Sequence, residues 1–433
     1  MAMQALGIII VVLIVLLVIG VPISYAIGIS SLAGILLVVP LDVSVLTAAQ
    51  RTFVGMSKFS LTAIPFFILA GNLMNQGGIA KRLVNFVLAI LGKLPGSLLV
   101  TNVGANALFG AISGSASAAA AAVGSMVREG EEEEGYDPAL CAATNAASAP
   151  SGLLIPPSNA LITYSLVSGG TSVAALFLAG YVPGIIWALC CIIVAVIIAK
   201  KKGYQGRPGK FDWSNLGAAT LQALPSLSLI VVVIGGIVAG IFTATEGSAI
   251  AVVYALILGI CYRNITLESL WRIVVDSAKM SGMIVFLIGV SNILGWVMAF
   301  TQIPQAISAA LLGITSNPIV ILLIMNVILL IAGTFMDVTP AILIFTPLFL
   351  PIVKTFGMNP IQFGLILVYN LCIGNITPPV GNTLFVSIKV GKTTLAKVMP
   401  YMLLYYVAIL VGLLLVTYVP FVSMGLPNLA GFV

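Results

Sequence analysis

Long, continuous runs of apolar residues are separated by short polar segments along this chain of 433 residues. Because the apolar positions in each run are consecutive rather than alternating, the pattern predicts helices and excludes a transmembrane β-barrel. A helix needs about 20 residues to cross a bilayer, so the apolar length leaves room for about a dozen spans or hairpin arms. The predicted fold class is an all-α polytopic membrane protein.

The first half of the chain predicts three apolar helices, at residues 5–19, 24–39 and 63–74, with a more polar stretch containing Arg51 and Lys58 before the third. An amphipathic interfacial arm follows, flanked by Lys81, Arg82 and Lys93.

Residues 97–127 are rich in Gly, Ala and Ser and centre on residues 113–117. An ordinary span packed through small residues is one interpretation. We favour a re-entrant hairpin with its tip at the serines, because the second half contains a matching pair of arms. The acidic run at residues 129–134 is predicted to be a solvated loop.

The second half predicts the same order of segments after a span at residues 176–199. We expect the following segments: spans at 226–242 and 248–262, an amphipathic segment at 267–276, a separate span at 280–300, an interfacial stretch at 304–312, two arms within 319–353 interrupted at 333–340, and a last span at 399–419.

Residues 135–172 and 357–394 align without a gap, at an offset of 222 positions (360 − 138). Both interrupt a membrane-like apolar run with Gly, Pro, Ser, Thr and Asn. Backbone left unpaired at membrane depth costs several kcal/mol per group, so a broken helix that occurs twice predicts a transporter's binding site. The aligned positions include Pro138 and Pro360, Gly152 and Gly374, and Pro156-Pro157 and Pro378-Pro379.

Composition argues against several other classes of protein. Only 7% of the residues are charged and the mean hydropathy is +1.21, whereas soluble domains carry about 25% charged residues. The net charge of +6 is spread over helix ends, which membrane orientation explains better than nucleic-acid binding. The chain has no histidine, and its five cysteines lack metal-ligand spacing, which argues against an enzyme or a metal centre other than one for Na+.

Residues 200–202, followed by Arg207 and Lys210, form a basic cluster that predicts a cytoplasmic loop between the two halves. If residues 98–127 and 319–353 are hairpins that do not cross the membrane, both termini lie outside and the two halves are inverted relative to one another. Three of the 18 Lys and Arg then fall outside, namely Arg51, Lys58 and Lys354.

This arrangement divides the chain into four regions. Residues 1–96 hold N-terminal scaffold helices and an interfacial arm, and residues 97–199 hold the first transport repeat. The cytoplasmic linker, further scaffold helices and a second arm occupy residues 200–316, and the second transport repeat occupies residues 317–433.

Of the twelve acidic residues, only Asp337 and Glu246 lie where a role at membrane depth is expected. Asp337 lies at the tip of the second hairpin beside Thr334 and Thr339, where a carboxylate and carbonyl oxygens suit Na+; a helix cap is the alternative. For Glu246 a helix cap is the favoured interpretation.

An organic anion in this core would be held by polar side chains and by helix N-termini, each of which carries about half a positive charge. Because no Lys or Arg is expected there, bound Na+ would supply the remaining counter-charge. The candidate substrate-binding residues are Ser115, Asn145, Asn159, Asn375 and Asn382.

Six motifs carry a family resemblance: PFFILAGNLM at residues 65–74, GSASA at 114–118, LLIPPSN at 153–159, IFTATEG at 241–247, GTFMD at 333–337 and GNITPPVGN at 374–382. Together they resemble the large membrane subunit of tripartite ATP-independent periplasmic (TRAP) transporters over essentially the whole chain, and most closely the sialic acid branch.

The resemblance implies an elevator mechanism, inward Na+ symport of an organic anion across a bacterial inner membrane, a small four-helix membrane partner and a soluble periplasmic binding protein. No cofactor other than the coupling ion Na+ is expected. The implied first Na+ site uses Ser113, Ser115, Gly152, Ile155 and Pro157; the implied second site uses Gly333, Thr334, Asp337, Gly374 and Thr377.

Sialic acid is the first substrate candidate, followed by C4-dicarboxylates and other sugar acids. A stand-alone Na+/dicarboxylate carrier of the same architecture is the alternative transporter. A channel or an intramembrane enzyme is disfavoured, since the hairpins suggest a closed carrier and a clustered nucleophile and base are lacking.

Overall fold

The computed structural model describes residues 2–207 and 212–432, so Lys210 of the basic cluster lies outside the described residues. Helices and their connections make up this part of the chain, and it contains no strand, which confirms the all-α fold class. Six helices are long and apolar enough to cross a membrane. A seventh span results if Leu41–Met56 and Phe59–Gln76, which are bent by 60° relative to each other, are counted as one.

The N-terminal region contains five α-helices. They are α1 (Ala2–Val18), α2 (Ile23–Leu36), α3 (Leu41–Met56), α4 (Ala63–Gln76, preceded by a 3-10 turn at Phe59–Thr62) and α5 (Ile79–Leu91). The sequence predicts only a polar stretch where α3 lies. This helix begins directly after Pro40, and no helix breaker interrupts the residues that follow. The Arg51 guanidinium lies 5.7 Å from the centre of the Trp296 ring.

The region predicted as the first repeat, residues 97–199, contains a hairpin, a broken helix and most of a long helix. Its helices are α6 (Ser97–Ser113), α7 (Ala116–Glu133), α8 (Pro138–Ser148), α9 (Ser151–Leu154), α10 (Asn159–Val167) and α11 (Val173–Lys202). Gly114 turns the chain at the hairpin tip with a φ of +62°, a left-handed conformation that glycine adopts without strain.

The prediction of a solvated loop at residues 129–134 is wrong, because α7 continues to Glu133. Glu131 is buried on the same helix face as Val127 and Gly124, at spacings of four and three residues, while Glu129 and Glu132 are exposed. This helical period cannot be seen in a run of consecutive acidic residues, because all of them are acidic and only Glu131 faces the interior.

The second half has ten helices within residues 212–432. They are α12 (Trp213–Val238), α13 (Ala244–Cys261), α14 (Leu267–Phe300), α15 (Ile303–Ile314), α16 (Pro318–Gly333), α17 (Val338–Thr355), α18 (Pro360–Gly374), α19 (Asn382–Val390), α20 (Leu395–Tyr418) and α21 (Pro420–Leu429). The amphipathic segment and the span expected between residues 267 and 300 are one helix, since no Gly or Pro separates them. The C-terminal helix α21 was not predicted.

The two repeats share contacts as well as sequence. The Asn106 amide donates a hydrogen bond to the Ser148 hydroxyl at 2.9 Å, and the Asn370 amide donates one to the Asn326 carbonyl oxygen at 2.8 Å. Ser148 and Asn370 are the residues that align at the 222-residue offset. In both repeats, therefore, a polar bond joins the first hairpin arm to the first half of the broken helix.

The interior is one continuous apolar cluster around Trp187, Tyr164 and Tyr369, all of which are fully buried. The spans expose large apolar side chains on their outer faces, such as Ile193 and Val407. Exposed apolar surface on spanning helices is what lipid contact requires.

Candidate functional site

A cavity of about 270 Å³ lies between the two hairpin tips, the two helix breaks and the helices α2, α4 and α14. Its polar wall belongs to the hairpins and broken helices. Five predicted site residues line this wall, namely Ser115, Asn159, Asp337, Asn375 and Asn382. The opposite wall is apolar and belongs to α4 and α14, which contribute Ile68, Met280, Met283, Ile284 and Leu287.

Four helix N-termini from the hairpins and broken helices meet at the cavity, and the N-terminus of α2 lies there as well. Ser115 caps α7 by accepting a hydrogen bond from the Ala118 N–H at 3.3 Å, and Asp337 caps α17 by accepting one from the Val338 N–H at 2.9 Å. The other two helices, α10 and α19, begin at Asn159 and Asn382. The lining residues, as far as the structure describes them, include no Lys or Arg, so the positive potential here comes from peptide groups.

Each hairpin crosses its broken helix at a pair of glycines. A Cβ added at Gly152 would lie 2.2 Å from the Gly110 Cα, and one added at Gly374 would lie 2.3 Å from the Gly333 carbonyl carbon. No side chain fits at either crossing, so glycine is required for the backbones to approach this closely. The glycines bring the free peptide groups of each break next to a hairpin tip.

The residues of the first implied Na+ site lie around the first crossing. The Ser113 hydroxyl is 3.4 Å from the Ser115 carbonyl oxygen, to which it donates. Ile155 is extended, and the Pro156-Pro157 peptide bond that follows is cis, as is that of Pro378-Pro379. Since Pro156 has no N–H, it cannot donate the usual helical hydrogen bond to the Gly152 carbonyl oxygen.

The residues of the second implied site lie around the second crossing. The Val380 N–H donates to the Thr334 carbonyl oxygen at 3.2 Å, which joins the hairpin tip to the break. The hydroxyls of Thr334 and Thr377 each donate to a carbonyl of the preceding helical turn at 2.7 Å. Their oxygen lone pairs remain available to a cation.

The helix cap that the sequence offered as the alternative for Asp337 is present, and its role as a Na+ ligand stays a prediction. Asp337 is the cap of α17, and its side chain is exposed to the cavity, close to the Asn382 amide. Asn375 is mostly buried there and accepts a hydrogen bond from the Thr383 N–H at 3.4 Å.

Asn145 lies elsewhere, away from the other substrate-binding candidates. Its amide donates to the Ala120 carbonyl oxygen at 2.8 Å and accepts from Asn106 at 2.9 Å, inside the packing of α6, α7 and α8. Asn145 precedes Gly152 by two helical turns, which places it about 10 Å from the break.

Glu246 is a helix cap, as favoured from the sequence. Its carboxylate accepts a hydrogen bond from the Thr243 N–H at 2.8 Å, and the Thr243 hydroxyl accepts one from the Glu246 N–H at 3.3 Å. This reciprocal pair is a capping box at the start of α13. Glu246 is exposed and does not line the cavity.

Sequence reasoning missed the apolar wall of the cavity and the glycine partner Gly110. Met280, Met283 and Leu287 are ordinary apolar residues of a long span, and only the fold places them opposite the hairpin tips. The sequence could have indicated Gly110, since this residue lies in the small-residue segment, one helical turn before the tip at Gly114.

Comparison with known proteins assigns the family. Residues 10–422 match the family model described as "Tripartite ATP-independent periplasmic transporter, DctM component". The chain is 50% identical to the uncharacterized protein YgiK of Salmonella typhimurium, over 96% of this chain and 95% of that protein. It is 39% identical to the isethionate TRAP transporter permease DctMQ of Oleidesulfovibrio alaskensis, over 94% of this chain and 64% of that longer protein.

Relatives named for other substrates match at similar identity. The C4-dicarboxylate large permease DctM of Rhodobacter capsulatus is 37% identical, over 97% of this chain and 98% of that protein. The sialic acid large permease SiaM of Vibrio cholerae is 34% identical, over 95% of each.

Among solved structures, the YdaH transporter of Alcanivorax borkumensis has a similar fold, with a TM-score of 0.57 and 15% identity, covering 84% of this chain and 87% of that one. The family match extends over nearly the whole chain and both hairpins, and the curated relatives match at nearly full length. This chain therefore belongs to the DctM family of TRAP transporter large permeases, and it is a membrane permease rather than an enzyme.

Proposed function

We propose that this chain is the large permease of a Na+-coupled TRAP transporter that imports an organic anion. The observation that carries the proposal is the cavity between the hairpin tips, where four helix N-termini converge without a Lys or Arg among the described lining residues. Such a site attracts an anion through peptide dipoles and holds it through Ser115, Asn159, Asn375 and Asn382.

Two Na+ ions complete the counter-charge in this proposal. The first binds near the Gly110–Gly152 crossing, and the second binds near the Gly333–Gly374 crossing, where Asp337 supplies the carboxylate. Backbone carbonyls and hydroxyls are hard oxygen ligands, which suit Na+. Because each ion sits beside a hairpin tip, its binding favours the tip geometry that the anion needs. Na+ binding and anion binding are coupled in this way.

The division of the cavity wall supports an elevator mechanism. All polar lining residues from the hairpins and broken helices lie on one side, and α4 and α14 present an apolar face on the other. An anion held by the polar side would travel with the hairpins past α4 and α14. An apolar surface offers the moving body no polar bonds that must be broken at each step.

The proposed setting is the bacterial inner membrane, with both termini periplasmic. A small four-helix membrane subunit and a soluble periplasmic binding protein that delivers the substrate complete the transporter. The family's description as tripartite and periplasmic supports this composition.

Sialic acid is proposed as the first substrate to assay, with C4-dicarboxylates, isethionate and other sugar acids next. Relatives named for sialic acid, C4-dicarboxylates and isethionate fall between 33% and 39% identity, which supports an organic anion as the class.

The test is uptake of radiolabelled anions into proteoliposomes that contain this chain and its small partner. Each anion is tested with and without an inward Na+ gradient and the cognate binding protein. We expect uptake of one anion only when both are present. Uptake that needs no binding protein would support the stand-alone carrier instead, and uptake that ignores the Na+ gradient would refute Na+ coupling.

A further inference from the structure

Glu131 is a buried acid far from the cavity described above. It is 4% exposed and lies near the end of α7, beyond the apolar part of that helix, in a segment that no candidate membrane span includes. It borders a second cavity of about 20 Å³, formed by α7 and α8 of the first repeat and by α19 of the second. A cavity of this size holds about one water molecule.

The Glu131 carboxylate has no paired counter-ion. Its Oε1 atom is buried without a hydrogen-bond partner among the described residues. Arg128 lines the same cavity, but its guanidinium is engaged elsewhere. Its Nε atom donates to Glu132 at 2.7 Å, and its Nη1 atom donates to the Val390 carbonyl oxygen at 2.9 Å.

The titratable groups around Glu131 are few. On α7 they are Arg128 and Glu132, of opposite charge, and they are paired with each other. The Cys141 thiol on α8 approaches the Glu131 carboxyl, and the Tyr136 hydroxyl lies in the turn between the two helices. The lining residues described on α6 and α19 are Asn102, Ser387, Val390 and Gly391, which do not titrate.

From this geometry we propose that Glu131 is a proton-binding site at the junction of the two repeats, separate from the anion and Na+ sites. A buried carboxylate that lacks an ion pair and has one oxygen without a hydrogen bond is costly when ionised, and a bound proton removes the charge. Desolvation by burial, opposed by Cys141 and Arg128, raises the pKa of Glu131 from its ordinary value of 4.5 to about 7.

The proton stabilises the junction in this proposal. Arg128 connects the first hairpin to α19 through the Val390 carbonyl, and it is the nearest cation to Glu131. An ionised Glu131 competes with Val390 and Glu132 for this guanidinium and draws water into the small cavity. Loss of the proton therefore loosens the contact between the first hairpin and the second repeat.

Infrared spectroscopy of the purified full-length protein with its membrane partner tests proton binding directly. We expect the C=O band of a protonated carboxyl that disappears with a midpoint near pH 7. The band should be absent in Glu131→Gln and retained in Glu129→Gln, the matched change at an exposed position of the same helix that takes no part in the Arg128–Glu132 pair. Its persistence in Glu131→Gln, or the lack of any carboxyl titrating near pH 7 in the wild type, would overturn the proposal.

Thermal unfolding supplies a second measurement. Because the folded protein binds the proton more tightly than the unfolded chain, the contribution of Glu131 should lower the melting temperature as the pH rises from about 4.5 to about 7 and should level off above that range. Glu131→Gln, which resembles the protonated side chain, should flatten this part of the profile. A slope as steep as that of the wild type in Glu131→Gln would refute the site, whatever the outcome of the uptake assays.

Discussion

Gly152 of the first broken helix lies so close to Gly110 of the first hairpin that a Cβ at position 152 would be 2.2 Å from the Gly110 Cα. The neighbour is backbone and cannot rotate away. Gly152→Ala should therefore force the two elements apart, at a cost of about 1–3 kcal/mol. We expect a lower apparent melting temperature in detergent and a loss of Na+-dependent uptake.

Gly235→Ala is the matched control, because a Cβ there would meet no atom within 4 Å. It should leave both the melting temperature and uptake unchanged. Gly374→Ala should behave like Gly152→Ala, since its Cβ would lie 2.3 Å from the Gly333 carbonyl carbon. Full uptake by Gly152→Ala would contradict the close crossing.

Asp337→Asn tests the second Na+ site. The change keeps the size of the side chain and, because Asn is also a good N-cap, keeps the cap of α17. It removes the carboxylate that we propose as a Na+ ligand. The Na+ concentration for half-maximal uptake should rise at least tenfold, with little change in melting temperature.

Glu246→Gln is the control for this experiment, because Gln also serves at the third position of a capping box. Its Na+ dependence should match that of the wild type. An unchanged Na+ requirement in Asp337→Asn would remove Asp337 from the ion site.

Asn382→Ala and Asn145→Ala should separate a substrate contact from a structural one. Asn382 is exposed to the cavity, so its loss should raise the apparent KM for the anion severalfold and leave the melting temperature unchanged. Asn145 is buried and bonded to Ala120 and Asn106. Its loss should cost about 1–3 kcal/mol of stability.

Thermal unfolding and uptake kinetics of both variants check this distinction. A normal melting temperature with a raised KM in Asn145→Ala would instead indicate that Asn145 contacts the substrate.

Asp137 is held by Lys202, whose ammonium is 2.6 Å from its Oδ2 atom, and by the Tyr401 hydroxyl at the same distance. Partial burial opposes ionisation, but these hydrogen bonds outweigh it and lower the pKa of Asp137 from 3.8 to about 2. The stabilisation is therefore complete above about pH 4 and is lost as the pH falls towards 2. Asp137→Asn should lower the melting temperature by the same amount at every pH from about 5 to about 8.

The exposed pair of Arg272 and Glu268 provides the comparison, since both side chains are more than 60% exposed. Arg272→Gln should leave the melting temperature unchanged, because exposed pairs contribute about 0–1 kcal/mol. A difference between Asp137→Asn and wild type that varies over this pH range would show that another group titrates with Asp137.

The sequence was sufficient to predict most of the helices, though not α3, α21 or the end of α7, together with the hairpin tips and most polar residues of the cavity wall. The strongest signal in the sequence was a pair of apolar segments, 222 positions apart, that are both interrupted by Gly and Pro. The breaks locate Asn159 and Asn382 at helix starts, and therefore at the cavity. Asn145 has the same side chain, but it lies within a regular helix and is used for packing.

The apolar wall of the cavity and the burial of Glu131 depend on which helices pack against one another in the folded protein. Met283 and Leu287 belong to a long apolar span, and no local pattern distinguishes their position on the cavity from contact with lipid. Likewise, Glu131 differs from its acidic neighbours only in the helix face on which it falls. Burial of that face depends on α8 and α19, which lie far apart in the chain.

The helix starts around the cavity give the proposed anion site a property that a cluster of basic side chains would lack. Peptide dipoles carry no titratable proton, and the chain contains no histidine. The attraction they exert is thus permanent over the physiological pH range. In the transport cycle that we propose, release of the anion therefore depends on a change in geometry, on departure of Na+ or on protonation of Asp337, the one titratable residue among the described lining residues.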